Sequence, residues 1–172
     1  MENEQVMIKS FIDSVKEYLR KSYVVLPKKA EVKLYHHYGI DSIVSTGAAF
    51  ISVIQHDYCK FIVIMTPGQS YPLHYHRIKD ESYFILYGDL KVTIEDGTYF
   101  LTKGDIINVP RLFMHGFSTE SGCVFEEIST AYLQNDSVYE NKEIQYASKS
   151  NRSTVFSIEA FVEERNGDDG KQ

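Results

Sequence analysis

An all-β fold is predicted by three features of this sequence. Short runs rich in Val, Ile, Tyr and Phe fill 22–26, 31–37, 42–45, 49–56, 59–66, 72–76, 82–87, 90–95, 98–102, 105–109, 113–118 and 123–130. Turn residues punctuate them at Tyr38-Gly39, Gly47, Pro67-Gly68, Gly88-Asp89, Asp96-Gly97, Lys103-Gly104 and Ser121-Gly122, and Asp96-Gly97 is a tight-hairpin signal. No helical period alternates with these runs, which argues against a doubly wound parallel sheet and for a sandwich or barrel.

The first segment differs. From Glu2 to Lys21 the apolar residues Ile8, Phe11, Ile12, Val15, Tyr18 and Leu19 recur at helical spacing, with Lys9, Asp13, Lys16 and Glu17 between them. This predicts an amphipathic helical arm (1–21) that packs on the barrel or on a second subunit. The barrel is expected over 22–130, a surface-wrapping segment over 131–165 and a disordered tail over 166–172. Within the wrapping segment, 154–163 reads as a last strand or a short helix. A length of 172 residues suits a single domain, and 43% apolar residues can fill its core.

Charge and composition exclude several functions. A net charge of −6 without any Lys/Arg run argues against nucleic acid, which needs a concentrated basic face. No apolar stretch is long enough to cross a bilayer, and the residues after Met1 lack the basic start and apolar run of a secretory leader. Cys59 and Cys123 lie far apart within strand-like runs, which reads as two buried free thiols and a cytoplasmic protein.

Chemistry concentrates in two stretches. In GQSYPLHYHRIKDESYFILYG (68–88), His74 and His76 are two apart, so a strand places both imidazoles on one face. Glu81 follows at the entry to the next run, where alternation puts Glu81, Tyr83, Ile85 and Tyr87 on a shared face. In GDIINVPRLFMHGFS (104–118), Pro110 marks a bend, and His115 follows between Phe113 and Phe117. Tyr83, Tyr87, Phe113 and Phe117 are candidate pocket residues. His36, His37 and His56 read as surface or loop histidines without a role.

These stretches resemble the two signature motifs of the cupin superfamily. Gly68, His74, His76, Glu81 and Gly88 fit every position of the first motif, and Gly104, Pro110 and His115 fit the second. Leu112 stands where the family has Gly, and Thr119 where it has Asn. The resemblance implies a double-stranded β-helix, or jelly-roll barrel. It also implies one divalent ion (Mn, Fe, Ni, Co or Zn, with Mn favoured) held by His74, His76, Glu81 and His115. The strings LYHHYGID, YCKFIVIMTPGQSYPLHYHRIKDESYFILYGDL and CVFEEISTAYLQNDSVYE further resemble D-lyxose ketol-isomerase-like cupins and the cupin domains associated with sialic-acid-type synthases.

That likeness implies a small-molecule sugar or sugar derivative as ligand, a homodimer, and aldose–ketose isomerisation or epimerisation through an enediolate. A base must move the proton between carbons. Glu126 and Glu127 are adjacent in one strand-like run and therefore point to opposite sides; parity alone leaves the choice open, and the resemblance favours Glu127. Lys79, between the second histidine and Glu81, is a candidate to polarise a substrate oxygen or bind an anion. Two alternatives stand beside this: an iron-dependent cupin dioxygenase, and a non-catalytic sugar-binding module serving a carbohydrate biosynthesis enzyme.

Overall fold

Among the described residues, eleven strands form one antiparallel sheet that curls around an apolar core, nine of them from the strand-like runs before 130 and two from beyond it. In chain order these are β1 (Glu31–Tyr35), β2 (Ala48–Gln55), β3 (Cys59–Met65), β4 (Ser70–His76), β5 (Glu81–Ile94), β6 (Gly97–Thr102), β7 (Ile106–Val109), β8 (His115–Ser118), β9 (Cys123–Ser129), β10 (Ser137–Tyr139) and β11 (Ser153–Ser157). The helices are α1 (Glu2–Ser22), α2 (Lys142–Tyr146) and α3 (Lys149–Arg152). The structure is a computed structural model and describes residues 2–130, 133 and 135–162. Sheet order is β10-β4-β8-β5-β9-β3-β2-β1-β11, with β6 and β7 also paired to β5. Among the described residues, no helix is long and apolar enough to cross a membrane.

β5 joins the two sides of the barrel. Its first half pairs with β9 and β7, its second with β8 and β6. Gly88-Asp89, expected as a turn, is therefore a kink inside one 14-residue strand. Gly88 has φ +79, and a Cβ there would overlap the carbonyl of Gly122. Gly88→Ala is expected to cost about 3 kcal/mol or more, because neither backbone can yield without breaking β5–β9 pairing. A denaturation midpoint within error of wild type would contradict this.

Two expected strands are absent for a local reason. At 42–45, Ile43 and Ser45 donate their amides back to Ile40 and Ser42, and the Ser42 hydroxyl donates to the carbonyl of Gly39. Such local bonds compete with a ladder. The 22–26 run forms an irregular link in which Tyr23 and Val25 face solvent.

The near-continuous apolar runs of β2 and β3 reflect burial on both faces. Phe50, Phe61, Val63, Met65 and Phe125 point into the barrel. Ile51, Ile62, Ile64 and Val124 point outward and are covered by Phe11, Val15, Tyr18 and Leu19 of α1. Each such side chain contributes roughly 1.5–3 kcal/mol on burial. The Tyr18 hydroxyl donates to the carbonyl of Ser121 at 2.6 Å, fixing the helix on the barrel.

The segment after 130 does more than wrap a surface. β10 adds to β4 and β11 adds to β1, so both ends of the sheet come from beyond 130. α2 is capped by Asn141, which accepts from the amide of Glu143, and buries Ile144 in the barrel core. The 154–163 stretch supplies β11 and then a 3-10 turn at Ile158–Ala160. The expected tail at 166–172 lies outside the described residues.

Candidate metal centre and cavity

The histidine cluster is a product of strand pairing. His74 and His76 lie on the inward face of β4, and His115 opens β8 directly opposite His74. The ligating atoms of the three histidines lie within 4.8 Å of one another, and all three side chains are buried. His74 Nδ1 meets the Pro72 carbonyl and His115 Nδ1 the Phe113 carbonyl, each at 2.9 Å. A carbonyl only accepts, so Nδ1 carries the proton and the Nε2 lone pair points inward. Burial, reinforced by His115 and His76, holds His74 well below the usual imidazole range and keeps it neutral.

Glu81 completes the convergence at the start of β5. Its carboxylate lies 3.1 Å from His76 Nε2 and 3.3 Å from His115 Nε2. Burial opposes its charge, but Lys79 and His76 hold its pKa well below the ordinary carboxylate value. Tyr83 donates to it at 2.7 Å, and Lys79 forms an ion pair with it. The Nε2 lone pair of His115 thus faces a carboxylate oxygen, and that buried nitrogen has no hydrogen-bond donor. Facing lone pairs repel, and a cation placed among them removes the repulsion. Three imidazoles and one carboxylate are a donor set that fits a first-row divalent ion.

Lys79 links this cluster to a second carboxylate. Its Nζ lies 3.1 Å from Glu127 Oε1 as well as against Glu81. Burial alone would depress Lys79; Glu127 and Glu81 override it and raise its pKa. Burial and the Glu81 charge push Glu127 to about 8, against the pull of Lys79. The loop carrying Lys79 is held by Asp136, which accepts from the amides of Arg77, Ile78 and Lys79 at 3.0, 3.0 and 3.2 Å. Strand register decides between the two glutamates left open by parity. Glu127 sits on the cavity face of β9, opposite Phe61 and Tyr83. Glu126 points away and pairs with Lys60 at 2.6 Å.

His74, His76, Lys79, Glu81 and Glu127 line a cavity of about 350 Å³. Tyr83 and Phe117 line it. Tyr87 does not: the register shifts between Ile85 and Tyr87, which turns Tyr87 outward onto Tyr18 of α1, with ring centroids 6.0 Å apart. Phe113 does not either, because it precedes β8 in a loop and is 45% exposed. Asp136, Tyr139, Lys33, Lys149 and Arg152 also line the cavity. Four of these lie on or beside β10 and α3, whose short polar sequences carry no strand or helix period.

His36 and His37 are corrections. Both are buried, because their amides donate to the carbonyl of Arg152 and the chain closes over them. His37 packs among Tyr35, Tyr71 and Tyr139, and burial, with the charges of His36 and Arg152, lowers its pKa to about 3. As pH falls below 6.5 the unfolded chain takes up a proton that folded His37 refuses, so stability falls from pH 6.5 toward 3. Between pH 7 and 5 this loss is about 2 kcal/mol for one such histidine. In metal-stripped protein, His37→Asn is expected to show that much less pH sensitivity, measured by urea unfolding. Equal losses in both proteins would assign the acid sensitivity elsewhere.

Comparison with known proteins agrees with this architecture. A cupin domain model matches residues 61–126, the stretch from β3 to β9. The chain is 33% identical over 54 residues to quercetin 2,3-dioxygenase of Bacillus subtilis (strain 168), covering 31% of this chain and 16% of that protein. It therefore spans less than a fifth of that relative's length. L-ribose isomerase of Cellulomonas parahominis, solved with L-ribose, superposes with a TM-score of 0.63 at 13% identity, over 80% of this chain and 92% of that one. A variant L-ribose isomerase of Acinetobacter sp. DL28, in complex with L-ribose, gives 0.60 at 13%, over 73% and 80%. At that identity the likeness is one of fold. The motif, the domain matched over 61–126 and the curled antiparallel barrel agree on a cupin fold.

Proposed function

We propose that this cupin is a metal-dependent enzyme acting on a sugar by aldose–ketose isomerisation or epimerisation through an enediolate. His74, His76, Glu81 and His115 are the assigned ligands of one divalent ion, with manganese favoured. The observation that supports the reading most is Glu127. A buried carboxylate shares the cavity of the histidine cluster and is tied to it by one ammonium group, Lys79. A bound divalent ion supplies electrophilic polarisation of the substrate's carbonyl and neighbouring hydroxyl. Glu127 takes the proton from one carbon and returns it to the next. Lys79 orients both carboxylates and offers a donor to a substrate oxygen. Tyr83 and Phe117 exclude water from the deep end.

The fold likeness to two L-ribose isomerases supports a sugar as ligand class. The two buried free thiols support a reducing compartment, and we place the protein in the cytoplasm. The test is a manganese-supplemented panel of pentoses and hexoses in D₂O, read by proton NMR. Deuterium is expected next to the carbonyl, together with interconversion of two sugars. No exchange with any sugar, from protein carrying stoichiometric metal, would sink the reading. The 33% identity to a quercetin dioxygenase favours the iron-dependent dioxygenase as second reading. Oxygen consumption by iron-loaded protein with an enediol substrate would select it.

A further inference from the structure

β6 pairs with β5 along one edge, and among the described residues no strand pairs with its other edge. The two-residue turn Glu95-Asp96 joins Ile94 to Gly97, so that pair exchanges both hydrogen bonds and the pattern alternates from there. Gly97, Tyr99 and Leu101 therefore turn their amides and carbonyls to β5, while Thr98, Phe100 and Thr102 turn theirs away. A local contact fixes the same phase. The Thr102 amide donates outward to the Asp105 carboxylate at 2.7 Å, and the Thr102 carbonyl accepts from the Asp105 amide at 3.0 Å. The outward backbone groups of Thr98 and Phe100 have no such partner among the described residues.

Natural edge strands are kept single by charged side chains, proline or a bulge. The sequence of β6, GTYFLT, holds no charge and no proline, and its register with β5 is unbroken. Tyr99 is 48% and Phe100 77% exposed. Phe100 lies on the outer face beside Lys91, whose Nζ is 5.9 Å from the ring centre, and Tyr99 lies on the face of Val92 and Leu101. The flanking charges select the strand that suits this edge. Glu95 and Asp96 precede β6 and Lys103 follows it. A second β6 laid antiparallel sets acid against base at both ends, whereas a parallel one sets like against like. The edge is thus complementary to itself.

We propose that the chain forms a two-fold dimer through antiparallel pairing of β6 with β6 of a second copy, centred on Tyr99. In that register Thr98 of each copy meets Phe100 of the other, and each pair exchanges both of its free backbone bonds. Tyr99 faces its own counterpart, and Glu95 comes opposite Lys103. The interface is closed, because the same edge is used by both copies. No residue of β6 lines the cavity, so the dimer stands apart from the sugar reading.

Sedimentation velocity of the full chain at tens of micromolar tests it, and the expected species has twice the chain mass of 19.8 kDa. Phe100→Pro deletes an outward donor that β5 does not use, and the two-fold deletes it twice, so the dimer should weaken by about 100-fold. Its circular dichroism should match wild type. Tyr99→Lys sets like charges face to face and should give a monomer by a separate route. Cross-linking reads the register. Tyr99→Cys is expected to form an intermolecular disulfide on mild oxidation, since the two-fold brings that position against itself, while Phe100→Cys, at the more exposed site, is not. The native thiols, Cys59 and Cys123, are buried and do not compete. A monomeric wild type would overturn the dimer. A dimer that survives both Phe100→Pro and Tyr99→Lys would overturn this edge as its interface, and equal cross-linking at both positions would overturn the register. The wild-type mass and the cross-links decide the matter even if Phe100→Pro fails to fold.

Discussion

Proteins carrying His74→Ala or His115→Ala are expected to lose their divalent ion on dialysis, leaving under about a tenth of an equivalent per chain. Both imidazoles are oriented by a backbone carbonyl that fixes the proton on Nδ1 and aims Nε2 inward. Losing even an outer partner of a metal ligand costs roughly 10–100-fold in affinity, and losing the ligand itself costs more. Stability provides an independent check. An ion present at about 100 times its Kd stabilises the folded protein by about 2.7 kcal/mol, so EDTA should lower the wild-type melting temperature. In either variant EDTA should have no effect. A purely structural histidine would behave differently: its loss would destabilise the protein and leave the chelator response intact. Stoichiometric metal in either variant, by elemental analysis, would remove His74 or His115 from the site.

Much of this centre was legible because it rests on rules that need no tertiary knowledge. Two residues apart on a strand means one face, which is why His74 and His76 could be paired from sequence, and Pro110 marked the bend that leads into His115. Legibility ended where the backbone departs from regularity. Alternation carried through Ile85 put Tyr87 inside, and the register shift at that point turns it out. Gly88 looked like a turn because glycine punctuates turns, yet its positive φ serves a crossing within β5. Leu112, where the family motif has Gly, takes φ +69, so the backbone shape of that turn persists with a side chain that fits it poorly.

Long-range closure was the other blind spot. His36 and His37 lie at the end of β1, and their burial depends on a carbonyl more than a hundred residues away, at Arg152. Lys33 was equally opaque, since alternation in β1 separates Lys33 from Leu34 but does not say which of them faces the barrel. The same limit applied to Glu126 and Glu127, and only pairing with β3 and β5 resolves it.

That resolution makes Glu127→Gln the decisive substitution for the chemistry. Glutamine keeps the shape and the cavity contacts of Glu127 but accepts no proton from carbon. Deuterium exchange into the sugar is expected to fall by about 10²–10⁴-fold. Metal content should stay at the wild-type level, because Glu127 meets the site through Lys79 and Glu81, contacts that glutamine can keep. Glu126→Gln is the matched control: it breaks a half-exposed pair with Lys60 on the outer face and should leave exchange near wild type. A Glu127→Gln protein that exchanges at the wild-type rate would assign the base to another group of the cavity. One that loses both exchange and metal would move Glu127 from proton transfer to support of the ion. The intermediate pattern, with sugar still bound, metal retained and exchange gone, is what a carboxylate positioned through Lys79 beside Glu81 should produce.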